Sequence, residues 1–301
     1  MYDASMDRNE YKSYRKQQVA DALAELAQYP TLRNLFNAKW ATRVCAGIDS
    51  IRDDSSYDGA VYYAFTTLAD WGPPLWRCLE DRLQALSRAA SAKSNNLRDF
   101  RLTEGRLATL NDAGSWEGTV FEVLTLGTVA QYCSKNDISF EPYVGLPGTR
   151  KNIEGRFWAN SRWCNVEVKG LGPSKHDIGG RRPRSGVWSG FHSVPMAMKQ
   201  VTDAVDGKWK DQLRHVPADE PAVLFLCLGR NADNYTSQWA LDEHLPATLV
   251  AGVLRFGSFL SIRRPTLFAN PSAPVQLNSD EHHVLTSAEF EVGTAHADDN
   301  F

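Results

Sequence analysis

A wholly apolar run, Val223-Leu224-Phe225-Leu226-Cys227-Leu228, is bounded by Pro221 and Gly229. The run is short, and it lacks the alternation of a strand with one wet face. Such a run suits a strand buried on both faces, which requires a sheet with cover on either side.

The segments before it fit that demand. Trp116 to Ser134 reads as a helix, with Val120, Val123, Leu124 and Leu126 forming its apolar side. Ser139 to Val144, Ile153 to Trp158 and Trp163 to Lys169 read as short strands. Gly170 to Ser193 is a loop rich in Gly, Arg and Ser, and Pro195 to His215 reads as a helix. A further helix or strand lies between Leu245 and Leu260. The predicted order is helix, strand, strand, strand, loop, helix, strand. That is an α/β fold with a mixed central sheet flanked by helices.

The first hundred residues read differently. Val19, Leu23, Leu26 and Ala27 recur at helical spacing in Tyr11 to Tyr29. Pro30 should end that helix, and Thr31 should cap a second over Leu32 to Ile51. A third helix is expected from Gly59 to Asp70 and a fourth, after Pro73-Pro74, from Leu75 to Ala90. The polar stretch Ser91 to Asn96 marks a boundary, and a short helix is expected from Leu97 to Leu110. The predicted organisation is an all-α N-terminal module over 1–96, an α/β domain over 97–265, and a C-terminal segment over 266–301. The last twenty or so residues hold acids and no Lys or Arg, and are expected to form a loose acidic tail.

Composition narrows the class. The chain has 301 residues, 43% of them apolar and 23% charged, with a formal net charge of -3. That excludes a uniformly basic nucleic-acid coat but leaves room for a local basic patch. Nothing approaches about 18 consecutive apolar residues, so no membrane span is expected. The N-terminus is polar and has no hydrophobic signal core, which predicts a cytoplasmic protein. Cys45, Cys78, Cys133, Cys164 and Cys227 are widely spaced without CxxC, so neither a disulfide framework nor a zinc knuckle is expected.

The chemistry concentrates in Asn152 to Lys169. With 36 acids and 11 lysines, chance supplies roughly one acid-x-Lys triplet, and the chain has three. Glu10-Tyr11-Lys12 lies in a polar stretch, and Asp206-Gly207-Lys208 lies near a helical surface. Only Glu167-Val168-Lys169 falls on an interior strand. There Val166 and Val168 should face the core, and Asn165, Glu167 and Lys169 the other side. On the preceding strand Asn152, Glu154 and Arg156 share a face. The turn-like Ala159 to Arg162 allows a hairpin that sets Glu154 beside Glu167. Two adjacent carboxylates repel unless a cation stands between them, and a hard cation such as Mg²⁺ is the natural occupant. Lys169 can then hold an attacking water or developing negative charge. The plain alternative for the triplet is a simple ion pair. Glu122, an acid among apolar neighbours on the Trp116 to Ser134 helix, is a further candidate, with Glu117 its rival.

An acid on a leading helix, an acid on a strand and Glu-x-Lys on the next strand resemble the PD-(D/E)XK nuclease superfamily, the restriction-endonuclease-like fold. The resemblance covers Trp116 to Leu228. It implies a nuclease domain over 97–265 and Mg²⁺-dependent phosphodiester hydrolysis, with Mn²⁺ as a substitute. It implies metal binding by Glu154, Glu167 and the main-chain carbonyl of Val168, with Lys169 positioning the water. A Lys or Gln on the helix after Glu-x-Lys also recurs in the family, and Lys208, Lys210 and Gln212 precede the apolar strand here. The departure is at the first strand acid, usually Asp. Asn152 would mean a lost ligand, whereas Glu154 keeps the carboxylate with one more methylene.

The expected partner is nucleic acid, DNA before RNA by family habit. Lys175, Arg181, Arg182 and Arg184 in the loop after Lys169 would meet phosphates, and Trp188 and Phe191 could stack on bases. A solvated surface loop is the plain alternative. The helical module could contact a protein partner or a second copy of the chain. The rival functions are an inactive nucleic-acid-binding relative and a protein-interaction scaffold. His282-His283, Gly145-Leu146-Pro147-Gly148 and Asn270-Pro271 match no site pattern and read as surface or turn.

Overall fold

The computed structural model describes residues 7–36, 38–49, 60–91, 116–171, 194–227, 234–248, 250–256 and 265–288. The expected Leu97 to Leu110 helix and the cationic loop with Lys175, Arg181, Arg182 and Arg184 lie outside the described residues. Helices α1 (Arg8–Leu26), α2 (Pro30–Leu35), α3 (Ala38–Asp49), α4 (Ala60–Ser91) and α5 (Trp116–Lys135) come first. Strands β1 (Phe140–Gly145), β2 (Asn152–Ala159) and β3 (Arg162–Gly170) follow. Then come α6 (Val194–Asp211), β4 (Ala222–Cys227), α7 (Asn234–His244), β5 (Gly252–Phe256), β6 (Thr266–Ala269) and α8 (Ser279–Ser287).

The six strands form one mixed sheet in sequence order. β1, β2 and β3 are antiparallel, β3, β4 and β5 run parallel, and β6 returns antiparallel to β5. The wholly buried strands are β4 and β5. All six residues of β4 and all five of β5 are buried, as a strand with cover on both faces must be. The β2–β3 turn is two residues, Asn160 and Ser161, at φ 48° and 66°. A two-residue turn with positive φ at both positions matches the twist of the flanking strands.

Each face of the sheet has its own core. Val166, Val168, Val223 and Phe225 pack with Val120, Val123 and Val129 of α5 and with residues of α1 to α4. Leu224, Leu226 and Val253 pack with Val201, Ala204 and Val205 of α6 and Ala240 and Leu241 of α7. The boundary expected at Ser91 to Asn96 falls at the end of α4, yet the N-terminal helices share the first core with the sheet. Helices α4 and α5 come so close that a Cβ on Gly127 would stand 2.8 Å from Arg82 Cα and O. Only glycine fits that crossing.

The helical segments differ from expectation in three ways. Pro30 opens α2 at its first position instead of stopping the chain there, and Thr31 is inside the helix. The Leu32 to Ile51 helix is two helices, parted at Phe36, whose φ of -97° and ψ of 69° bury the ring. The third and fourth helices are one, running through Pro73-Pro74. Two prolines delete two N–H donors, but Leu75, Trp76, Leu79, Leu83 and Leu86 anchor the following turns in the core.

No local side chain caps α2. The Glu80 carboxylate of α4 does so, accepting from Thr31 N at 3.0 Å and Leu32 N at 3.0 Å. Burial opposes the Glu80 charge, but these N–H groups and the Gln84 amide outweigh it and hold its pKa below the ordinary value. The expected cost of Glu80→Ala is about 1–2 kcal/mol, the range for a lost helix cap. A lowered carboxylate pKa gives stability present above the unfolded value and lost as pH falls through the folded one. Urea unfolding of parent and variant should therefore show a gap that is full at pH 7 and shrinks below about pH 4.5. A gap that does not change with pH would mean that Glu80 acts through packing alone.

The expectation of a loose acidic tail is corrected for 279–288. Asn278 and Glu281 form a capping box that starts α8, and Val284 and Leu285 bury its inner side. Glu281 is not a solvated acid: Arg162 of β3 holds it at 2.6 and 2.8 Å. Residues 289–301 lie outside the described residues. No described helix is long and apolar enough to cross a membrane. All five cysteines are free, and burial pushes the Cys133 thiol up to about 12.

Candidate active site

The β2–β3 register pairs Gly155 with Val166 and Arg156 with Asn165. One step further along that register Glu154 stands opposite Glu167, and cross-strand partners share a face. A Cβ on Gly155 would meet Leu126 of α5, so Glu154 points the other way, toward α6. Glu167 and Lys169 pair in register with Leu224 and Leu226, the residues packed under α6. The alternation read from the sequence therefore holds on both strands.

Main-chain pairing between β2 and β3 stops at Gly155 and Val166. Beyond that point the carboxylates take over. Glu167 Oε1 accepts from Glu154 N at 3.1 Å, and Glu154 Oε2 accepts from Val168 N at 2.5 Å. Each acid thus has one oxygen fixed to the other's strand. The second oxygens, Glu154 Oε1 and Glu167 Oε2, face a common gap, and the Lys208 ammonium of α6 fills it at 2.7 and 2.5 Å.

Both acids are deeply buried, at 6% and 0% exposure. Burial and the neighbouring Glu154 charge push the Glu167 pKa well above the carboxylate range, against the pull of Lys208. Burial disfavours the Lys208 ammonium too, but Glu154 and Glu167 together outweigh it and hold its pKa above the usual value. Lys169 extends from the same face with its residue exposed. Crowding around its stem, followed by the like charge of Lys208, lowers its pKa, with Glu154 opposing.

Asn152 and Glu154 are now distinguished by position. Glu154 meets Glu167, whereas Asn152 offers its main-chain carbonyl to Gln212 at 2.9 Å. Glu122 is buried and accepts from the Tyr143 hydroxyl at 3.0 Å. Among the described residues no three His, Cys, Asp or Glu side chains gather as a metal group. The helix that carries Glu122, α5, covers the opposite face of the sheet. Side-chain positions of Glu117, and the loop cations Lys175, Arg181, Arg182 and Arg184, fall outside what is described.

The residue underrated by sequence is Lys208. Its triplet was placed near a helical surface, yet the lysine turns inward. Val201, Ala204 and Val205 are buried on α6, and position 208 follows them at the spacings that share one helical stripe. A cation on an apolar stripe was the available signal. Beside the site, Arg156 is bound by Glu141 at 2.7 Å and lies 4.3 Å over the Trp163 ring.

The donor set suits a small hard cation. Two anionic oxygens converge on a point that already holds a positive charge. The Val168 carbonyl also points to the β2 edge, because N–H and C=O of one strand residue share an edge. Comparisons of the chain with family models, with curated proteins and with solved structures find no match.

Proposed function

We propose that the chain is a metal-dependent phosphodiesterase acting on nucleic acid, DNA before RNA, of the PD-(D/E)XK kind. The observation that carries this is the meeting of Glu154 and Glu167 across β2 and β3 with Lys169 on the same face. The helix–three strands–helix–strand order from α5 to β4 supports it. Glu154, Glu167 and the Val168 carbonyl would hold Mg²⁺ or Mn²⁺. When bound, the ion would lower the pKa of a water and neutralise charge on the phosphate. The Lys169 ammonium would donate a hydrogen bond to the attacking water or to developing negative charge. The carboxylates orient the site by their main-chain contacts.

Plasmid nicking with Mg²⁺ or Mn²⁺ tests the reading. The parent should cleave, and Lys169→Ala should lose about 10²-fold or more, the size of a general acid–base contribution. Glu167→Ala should abolish cleavage, with circular dichroism confirming that both variants fold. A parent that never cleaves, or a Lys169→Ala variant as active as the parent, removes the hydrolase reading. The seat of Lys208 between the acids favours one second reading, a nucleic-acid-binding relative without catalysis. Binding at low salt with no cleavage in either metal would select it.

A further inference from the structure

We propose that the Lys208 ammonium and a divalent cation are alternative occupants of the gap between Glu154 and Glu167, so that Lys208 closes the site until metal displaces it. The inference rests on the metal-dependent reading above and assigns α6 a part in it.

The gap has room for one cation. Lys208 Nζ lies 2.7 Å from Glu154 Oε1 and 2.5 Å from Glu167 Oε2. An ion bridging the same two oxygens at about 2.0–2.6 Å would stand in contact with that nitrogen. Two positive centres at contact distance repel strongly, so one must leave. The carboxylates need not move for this exchange. Their other oxygens stay on Glu154 N and Val168 N, which keeps the pair aimed at the gap whichever cation is there. Lys208 can move without its helix, because its charge rides on a flexible four-carbon stem. Its side chain keeps 15% exposure, so a path to water is open.

Two measurements on the full chain test this. Calorimetric titration with Mn²⁺ should show Lys208→Met binding at least about tenfold more tightly than the parent, since metal no longer has to expel a bound ammonium. The second uses the parent alone and so does not depend on the variant folding. Acetylation by a hydroxysuccinimide ester, read by mass spectrometry, should rise about fivefold or more at Lys208 when Mn²⁺ is added, as the exposed population grows. Lys199 and Lys210, with side chains 72% and 65% exposed, should not change. Mn²⁺ binding by the parent with no gain in the variant and no change at Lys208 overturns the exchange and leaves the metal reading standing. No Mn²⁺ binding by either protein overturns both.

Discussion

Lys208→Met is expected to destabilise the protein by about 3–5 kcal/mol at neutral pH, the range for breaking a buried ion pair from one side. Methionine fills a similar volume, so the loss is electrostatic. Glu154 and Glu167 would be left facing each other at 6% and 0% exposure with no cation between them. Each is also tied to main chain of the neighbouring strand, so neither can swing out without opening the end of the β2–β3 pairing. The pH dependence identifies the cause. Glu167 already has a raised pKa, and an acid with a raised folded pKa loses stability as pH rises above its unfolded value. Removing Lys208 enlarges that penalty. The gap between parent and variant should be widest near neutral pH and narrow as pH falls and Glu167 takes up a proton. In the parent, the contribution of the raised Lys208 pKa is fully present below about 10.5 and is lost as pH climbs through its higher folded value. Urea unfolding across pH measures both. A variant within about 1 kcal/mol of the parent at pH 7 would show that the triad contributes little.

Arg162→Ala is expected to release the C-terminal helix, at about 2–3 kcal/mol. Arg162 is the first residue of β3, and its guanidinium donates to both oxygens of Glu281 and to the Gln276 carbonyl at 2.7 Å. Glu281 is wholly buried and also accepts from Asn278 N at 2.9 Å to start α8. Without Arg162 a buried carboxylate loses its counter-charge and the helix loses its tie to the sheet. The loss should be local. Amide exchange should speed up across 279–287 while β4 amides stay protected, since a terminal helix opens at lower cost than a central strand. Uniform acceleration through the sheet would instead place α8 within the global folding unit.

The strands were legible because their side-chain alternation is local. Val166 and Val168 against Glu167 and Lys169 announces one apolar and one charged face, and the Asn160-Ser161 turn leaves one register that sets Glu154 against Glu167. The apolar β4 run likewise announced a central strand. The helical errors share a cause: propensity and punctuation are local, whereas Pro30, Phe36 and Pro73-Pro74 are settled by distant partners. Glu80, 48 residues from Leu32, supplies the cap that no neighbour does. Glu281 read as an acidic-tail residue because its partner, Arg162, is 119 residues away in sequence.

By itself, then, the sequence determined the first four strands, the two faces of β2 and β3 and the meeting of Glu154 with Glu167, since those faces follow from a two-residue period and a short turn; β5 falls in a stretch that reads equally as helix or strand, and β6 in the expected C-terminal segment. Only the tertiary structure decided which cation stands between the acids. That depends on how α6 lies across β2 and β3, and a helix's rotation over a sheet is set by packing of residues far apart in the chain. That packing drew Lys208 inward, and on the opposite face the packing of α5 brought Glu122 to Tyr143, because charge placed inside a core is governed by the partner it meets there and not by its neighbours along the backbone.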